Sequence, residues 1–557
     1  METAIKHEVR PKPLCQNCQP IVDWALRSGN VAGHEELPWH PSPAALAHSM
    51  QHSGFPFCTL LRNHIRPVYF RRESADCCFY VHLKREPSST RLSLVANETG
   101  RGDQLVWAID GDIDKANFWL VNPDTELGQR PIWQCGQPIF EGRIVTVKNW
   151  LAECHRLGHD HSLCKPPGSL RLPKRLLHLQ ATGTTDSLKL VVTDRLHPAT
   201  RYTTLSHCWG PPSARSPLKT TWSSITDFQK EILYNWLPRN FKDAVTFTRM
   251  LNIDYIWIDS LCIIQDDTQD WEVESAKMAG YYQGSYLTIA AAASADCHGG
   301  LIQDSDPAQY LSPWAVASHS GRTVLMRKTT MTDRSLHKNY NSNSGSYPIV
   351  TRGWVLQEQV LSPRTVFCTG SKQLLWQCRS LFASEDGLIH RPEFCSLGNL
   401  PQRFDLSDEK SAHQVRWFWV YDYSKRELAY STDRAPAVAG LVDYYKSQTG
   451  HTLLLGLWKE SLCYNLFWTP SRFHRSDSLP DRDPNRFPTW SWLSPLILWD
   501  PKPESIVLGP TVHEHGSYTT QLAVVSAEVV WQAAPFTSKL QGAKLQVRGL
   551  VREAMLG

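Results

Sequence analysis

The strongest constraint on the fold lies between residues 187 and 292, where apolar runs of strand length alternate with stretches of helical spacing. Residues 187–194 and 203–209 read as strands, with the turn supplied by 195–199 between them. Over 240–251, Phe241, Ala244, Val245 and Leu251 fall at helical spacing behind Asn240, a suitable N-cap. Residues 254–264 are almost continuously apolar, as in a strand buried on both faces. A second helix is expected to start at Asp270, with Glu272 and Glu274 where the helix dipole favours acids. Residues 286–292 read as a further buried strand. This alternation predicts an α/β core: a parallel or mixed sheet with helices on its faces.

Three regions are expected: an N-terminal β-rich region (1–145), the core (146–380) and a mixed α+β C-terminal region (381–557). The first contains strand patterns at 77–85 and 91–98. The core opens with a short helix over 147–157, followed by a His/Cys-rich turn and Pro166-Pro167-Gly168. After a Ser/Asn/Gly-rich loop at 339–347, residues 353–361 read as a helix ended by Ser362-Pro363. Segments 365–370 and 372–378 then form a hairpin. The sequence stops in a strand-like pattern, which suits an incomplete last unit.

At 557 residues, two to four folded units are expected. The formal net charge of +4, with no run of five basic residues, argues against nucleic acid or an anionic membrane as partner. The first residues are charged and Pro-bearing where a secretory signal needs an apolar stretch, and no apolar run approaches about 18 residues. A soluble, cytoplasmic chain is the expectation, and its 15 Cys then read as thiols or metal ligands rather than disulfides.

Three ordered segments resemble the motifs of the fungal heterokaryon-incompatibility (HET) family. They are Tyr202-Thr-Thr-Leu-Ser-His-Cys-Trp-Gly210; the stretch from Leu237 through Tyr255-Ile-Trp-Ile-Asp-Ser-Leu-Cys-Ile-Ile-Gln-Asp266 to Met278; and Arg352-Gly-Trp-Val-Leu-Gln-Glu358, continuing to Arg364. Leu172-Pro-Lys-Arg-Leu176, Gly456-Leu-Trp458 and Pro488-Thr-Trp-Ser-Trp492 flank them, so the resemblance spans roughly residues 145–495. It implies a role in fungal non-self recognition and programmed cell death. It also implies a core similar to the Toll/interleukin-receptor (TIR) or Rossmann-like fold, some of whose TIR members cleave NAD. No other cofactor is required by this reading. Self-association, or association with another incompatibility protein, is the implied partnership.

In an open α/β sheet, ligands sit beyond the carboxyl ends of the strands. Ser206, His207, Cys208 and Trp209 are predicted there, as are Asp259, Ser260 and Cys262, and then Arg352 and Trp354. Glu358 is the first catalytic candidate: on a helix it shares a face with Trp354 and Leu361, and a carboxylate on an apolar face needs a partner or a purpose. The Trp-x-x-x-Glu spacing also resembles the catalytic helix of NAD-cleaving TIR domains. Breaking a nicotinamide–ribose bond passes through an oxocarbenium-like state that a carboxylate can stabilise. The alternative is an ion pair with Arg352 or Arg364. Glu274, between Trp271 and Met278 on a helix face, is the rival; its plainer role is a helix-start acid. Asp259 could hold a ribose hydroxyl or cap the next turn, and Trp209 and Trp354 could stack on a base or simply fill the core. Cys262 with His207 as base is a third chemistry, set against inert packing.

Cys15-x-x-Cys18 has zinc-ligand spacing, and Cys154, His159, His161 and Cys164 form a second cluster. Together they could close one structural zinc between the N-terminal region and the core; free thiols and surface histidines are the alternative. Asp110-Gly-Asp112-Ile-Asp114 begins like a calcium loop, but Lys115 replaces its glycine and Val121 its last acid. Glycine-rich nucleotide motifs, the Gly-x-Ser-x-Gly elbow and His-Glu-x-x-His are absent from the sequence. The functional readings are a nucleotide-cleaving effector, a non-enzymatic signalling module, and an accessory protein of fungal secondary metabolism.

Overall fold

Short β-branched runs and amphipathic stretches alternate through the core because each strand needs both its faces covered, and the helices between strands cover them. The computed structural model describes residues 12–26, 34–53, 57–58, 77–86, 89–98, 117–121, 139–156, 161, 164, 171–179, 187–211, 216–302, 315–319, 322–329, 347–370, 374–380, 382–385, 389–390, 419–420, 422–423, 426–462, 466, 487–488, 490–493, 523–532 and 535–549. His159, the Asp110–Asp114 turn and the loop over 339–346 lie outside the described residues. The chain divides into two units: residues 1–139 with 305–335 and 386–388, and the remainder. Among the described residues no helix is long and apolar enough to cross a membrane.

The second unit is α/β, built on a ten-stranded mixed sheet. Its centre is four parallel strands, in spatial order Arg364–Phe367, Leu287–Ala290, Thr203–Ser206 and Tyr255–Trp257. The chain lays down 203–206 first and 255–257 on one side of it. It then crosses back to 287–290 on the other side and continues outward to 364–367. The direction of winding therefore reverses between 203–206 and 287–290, the place where an open α/β sheet leaves a crevice at its carboxyl ends. Antiparallel strands extend both sides: Arg175–His178 and Ser187–Val192 beyond 255–257, Leu375–Cys378 and Phe382–Ser384 beyond 364–367. The buried hydroxyls of the central strands pair with one another: Thr204 with Thr288 (2.7 Å), and Thr288 with Ser362 (2.6 Å). Polar groups are thereby carried in the core at little desolvation cost.

Helix Arg239–Met250 buries Phe241, Ala244, Val245 and Thr248, the i, i+3, i+4, i+7 face. Its N-cap is Pro238, not Asn240. The Asn240 amide instead ties the segment after strand 287–290, donating to the Asp296 carbonyl (2.9 Å) and accepting from the Gly300 N–H (2.7 Å). Helix Thr268–Gly284 is capped by Asp267, which accepts from the Gln269 and Asp270 N–H groups, rather than by Asp270. Asp270 is engaged elsewhere: it meets Lys174 (2.8 Å), the Ile264 N–H (3.0 Å) and the buried Arg175 guanidinium. The expected long strand over 254–264 is also corrected. Only Tyr255–Trp257 is strand, and Asp259–Cys262 is a helical turn. That turn stays apolar because it is buried too, with Thr220 bonding the Ser260 and Leu261 carbonyls.

Helix Val355–Leu361 is buried on every side and ends at Ser362-Pro363. It packs with helices Thr268–Gly284 and Pro436–Thr449, the latter closed by Gly450 in the left-handed conformation (φ 73°). Farther along, Ala523–Trp531 and Leu540–Arg548 form a two-stranded antiparallel sheet. The first unit holds a seven-stranded sheet in which Cys77–Glu86 and Ser89–Glu98 form a hairpin. Two of its strands, Ala315–His319 and Arg322–Thr329, come from the 305–335 segment.

Candidate functional site

At the carboxyl end of strand 203–206 the chain presents Ser206, His207, Cys208 and Trp209, next to the point where the winding reverses. The turn after strand 255–257 brings Asp259 beside them. Its Oδ2 accepts from Trp209 Nε1–H (2.8 Å), its Oδ1 from the Ser260 N–H (2.7 Å), and His207 Nδ1 stands 3.8 Å from Oδ1. Asp259 thus anchors the indole and the turn together. Burial pushes the pKa of the buried His207 down, against the Asp259 charge, which raises it.

Glu358 closes the cluster from helix 355–361. It is 6 % exposed, and Ser206, Tyr282 and the charges of Arg352 and Asp259 act on its carboxyl. The Tyr282 hydroxyl points to the Leu205 carbonyl (3.3 Å), and Glu358 Oε2 has no hydrogen-bond partner. Burial pushes the carboxyl up to about 7. The Ser206 hydroxyl pulls against that rise, the Asp259 charge reinforces it, and Arg352 and Tyr282 oppose it. A carboxyl poised near neutrality can give or take a proton, and once ionised it can stabilise an adjacent cationic centre. The half-buried Arg352 is held by its backbone: its N–H bonds the Ile349 carbonyl (3.3 Å), and its own carbonyl accepts from Arg426 (3.3 Å). Its positive charge acts on the Cys208 thiol, Glu358 and His207.

Other candidates are placed differently. Glu274 is fully buried on helix 268–284, accepting from Tyr281 (2.9 Å) with Lys277 at 3.7 Å, both on its own helix. Trp354 donates to Asp433 (2.9 Å) and meets Trp271 edge-on, so its ring packs among side chains. Cys262 is completely buried with its thiol pushed up to about 12 by burial. A thiol in that state is a poor nucleophile.

Cys15, Cys18, Cys154, His161 and Cys164 fall into two separate clusters rather than one. Cys154, His161 and Cys164 join Cys378 of strand 375–378 within the second unit. All four are buried, with their ligand atoms within 4.8 Å of one another. Cys15 and Cys18 join Cys58 within the first unit, and His40 Nε2 stands 3.5 Å from the Cys58 sulfur. The cluster of the second unit is a Cys3His set able to hold a metal ion; that of the first unit is three cysteines, with His40 beside Cys58. In the Cys154–His161–Cys164–Cys378 cluster, Cys154 and Cys378 pull the Cys164 thiol down, while Cys164 pushes the Cys154 thiol up.

Sequence reasoning missed Tyr282, Cys378, Cys58 and His40. Nothing local marks Tyr282, which reaches Glu358 only through the fold. The cysteines carried a signal: each half-site was short of ligands, and Cys58 and Cys378 were unassigned. The role of Leu172–Leu176 was also unseen; its Arg175 binds Asp270 and the Cys262 carbonyl (2.7 Å), joining that flanking motif to the second one.

No curated protein and no solved structure matches the chain. Residues 202–358, from Tyr202 at the head of the first parallel strand to Glu358 itself, match the model of the family described as heterokaryon incompatibility protein (HET). The chain therefore carries a heterokaryon-incompatibility domain, and the polar cluster at the carboxyl ends of its sheet lies within that domain.

Proposed function

We propose that this HET domain is an effector of fungal non-self recognition and cell death that hydrolyses NAD or a related nucleotide, with Glu358 as its catalytic carboxylate. The observation that carries this reading is the state of Glu358: buried, raised to about 7, and with one oxygen unpartnered beside Ser206, Arg352 and Asp259. An ion-paired structural glutamate would be held in the opposite direction. In this reading the ionised carboxylate stabilises the oxocarbenium-like ribose as nicotinamide leaves, and Asp259 or Arg352 orients the substrate. A TIR-like core is supported by the spatial order of the four parallel strands and the reversal beside Ser206. Because Glu358 is only 6 % exposed, substrate entry requires local opening, and self-association or an incompatibility partner supplies the trigger.

The test is NAD consumption by purified protein at high concentration, wild type beside Glu358→Ala, Glu358→Gln and Glu274→Ala. Wild type should release nicotinamide, both Glu358 variants should lose about 10²-fold or more, and Glu274→Ala should retain the activity if it folds. Loss only in a folded Glu274→Ala protein would move the centre to the other helix. No turnover in any assembled state would favour a signalling module that uses the same domain without chemistry.

A further inference from the structure

We propose that this chain holds two structural zinc ions, one on Cys154, His161, Cys164 and Cys378, the other on Cys15, Cys18, His40 and Cys58.

The argument for the first site begins with spacing. Tetrahedral zinc with Zn–S near 2.3 Å and Zn–N near 2.0–2.1 Å sets ligand atoms about 3.8 Å apart for two sulfurs and about 3.6 Å for sulfur and nitrogen. His161 Nδ1 stands 3.5 Å from the Cys164 sulfur and 3.6 Å from that of Cys378. Cys154 completes a set whose ligand atoms all lie within 4.8 Å of one another. Thiols buried merely as small apolar groups have no reason to converge three at a time on one point with an imidazole nitrogen.

The surroundings suit an anionic centre. Zinc with three thiolates carries a net charge of −1, and Arg364 Nε–H points at the Cys154 sulfur (3.4 Å). The Ser380 N–H approaches the Cys378 sulfur (3.5 Å) and the Ser380 hydroxyl that of Cys164 (3.6 Å). Such outer contacts orient ligands and offset their charge. The site would staple helix Ile139–Arg156, His161 and Cys164 to strand 375–378. That strand pairs with 364–367, which follows the Glu358 helix.

Independent distances carry the second site. The Cys58 sulfur lies 3.3 Å from Cys15, 3.6 Å from Cys18 and 3.5 Å from His40 Nε2. His40 Nδ1 stands 2.9 Å from the Asn17 side-chain amide; ligation through Nε2 requires that amide to turn its oxygen to the ring, so that Nδ1–H donates and Nε2 keeps its lone pair for the metal. Trp39 Nε1–H points at the Cys18 sulfur (3.2 Å). Cys15-x-x-Cys18 forms the tight turn expected of a zinc-binding pair, with the Cys18 and Gln19 N–H groups both bonding the Cys15 carbonyl (3.0 and 3.2 Å).

The measurement is metal content of the full chain, purified under reducing conditions, with thiols counted before and after chelation. The expectation is about two zinc ions per chain, about one in Cys378→Ser, about one in Cys58→Ser, and close to none in the double variant. Substituting cobalt in the wild-type chain should give thiolate-to-metal charge transfer and tetrahedral absorption, and Cys378→His should keep both metals with a changed cobalt spectrum. These readings remain informative if a serine variant fails to fold. Zinc-free protein from zinc-supplemented expression, with these thiols freely reactive or disulfide-bonded, overturns the proposal. So does zinc that neither substitution removes, and a single zinc lost only with Cys58→Ser or only with Cys378→Ser overturns the other site.

Discussion

Replacing Glu358 with Gln should stabilise the protein above neutral pH and leave it nearly unchanged near pH 4.5. The carboxyl's ordinary value is 4.5 and its folded value about 7. Below pH 4.5 the group is protonated in both folded and unfolded chains and contributes no pH dependence. Between 4.5 and about 7 the unfolded chain releases the proton while the folded site keeps it, so stability falls as pH rises. Above about 7 the loss is complete. At 1.36 kcal/mol per pH unit this amounts to about 3 kcal/mol. Glutamine resembles the protonated acid in shape and is neutral throughout, so it escapes that loss. Denaturant unfolding of wild type and Glu358→Gln at pH 5 and pH 8 measures it: the variant's advantage should be below about 1 kcal/mol at pH 5 and grow to about 3 kcal/mol at pH 8. An advantage independent of pH, or a variant less stable than wild type at pH 8, would mean that the carboxylate is satisfied by a partner. The reasoning about its chemistry would then fail.

Asp270→Asn leaves the buried Arg175 without its anion and should cost about 3–5 kcal/mol by denaturant unfolding. Burial opposes the Asp270 charge, yet Lys174, the Ile264 N–H and Arg175 hold its pKa below the usual range. Its stabilising contribution is therefore present above pH 3.8 and lost as pH falls through its lowered folded value. Gly440→Ala would place a methyl against the Ala279 side chain and 2.8 Å from Gln357 Oε1; forcing apart two packed helices should cost about 1–3 kcal/mol, seen as a lower thermal midpoint. Gly450→Ala meets no neighbour, so only its positive φ opposes it, at about 1 kcal/mol. Cys262, buried with its thiol pushed up to about 12, should resist alkylation at pH 8 until the protein unfolds. Rapid labelling of the native protein, located by peptide mapping, would contradict that.

The strands and helices of the core were legible because periodicity records which faces are buried, and burial decides most of them. Their ends were not, because ends depend on partners distant in sequence. Asp270 reads locally as a cap but is claimed by Arg175, which leaves the capping to Asp267. Asn240 reads as a cap and instead ties the segment over 294–300. Helix 355–361 read as amphipathic around Glu358, yet Gln357 and Gln359 are buried as well. Gln357 accepts from the Gly440 N–H (3.3 Å), and Gln359 reaches Gln377 (3.4 Å). Ser206, Asp259 and Arg352 were each expected beyond a strand's carboxyl end, and Glu358 on an apolar helix face. The contribution of Tyr282 needed the packing of helix 268–284, which no local pattern encodes. Cys378 lay in an expected hairpin, and only the three-dimensional pairing of that hairpin showed which cluster it completes.

Nicotinamide release from NAD, followed by chromatography across pH 5.5–8.5 at high protein concentration, tests the central claim most directly. The account predicts release by wild type whose rate changes through about pH 7, following the Glu358 carboxyl, and no detectable release by folded Glu358→Gln. Equal release by Glu358→Gln and wild type would contradict it.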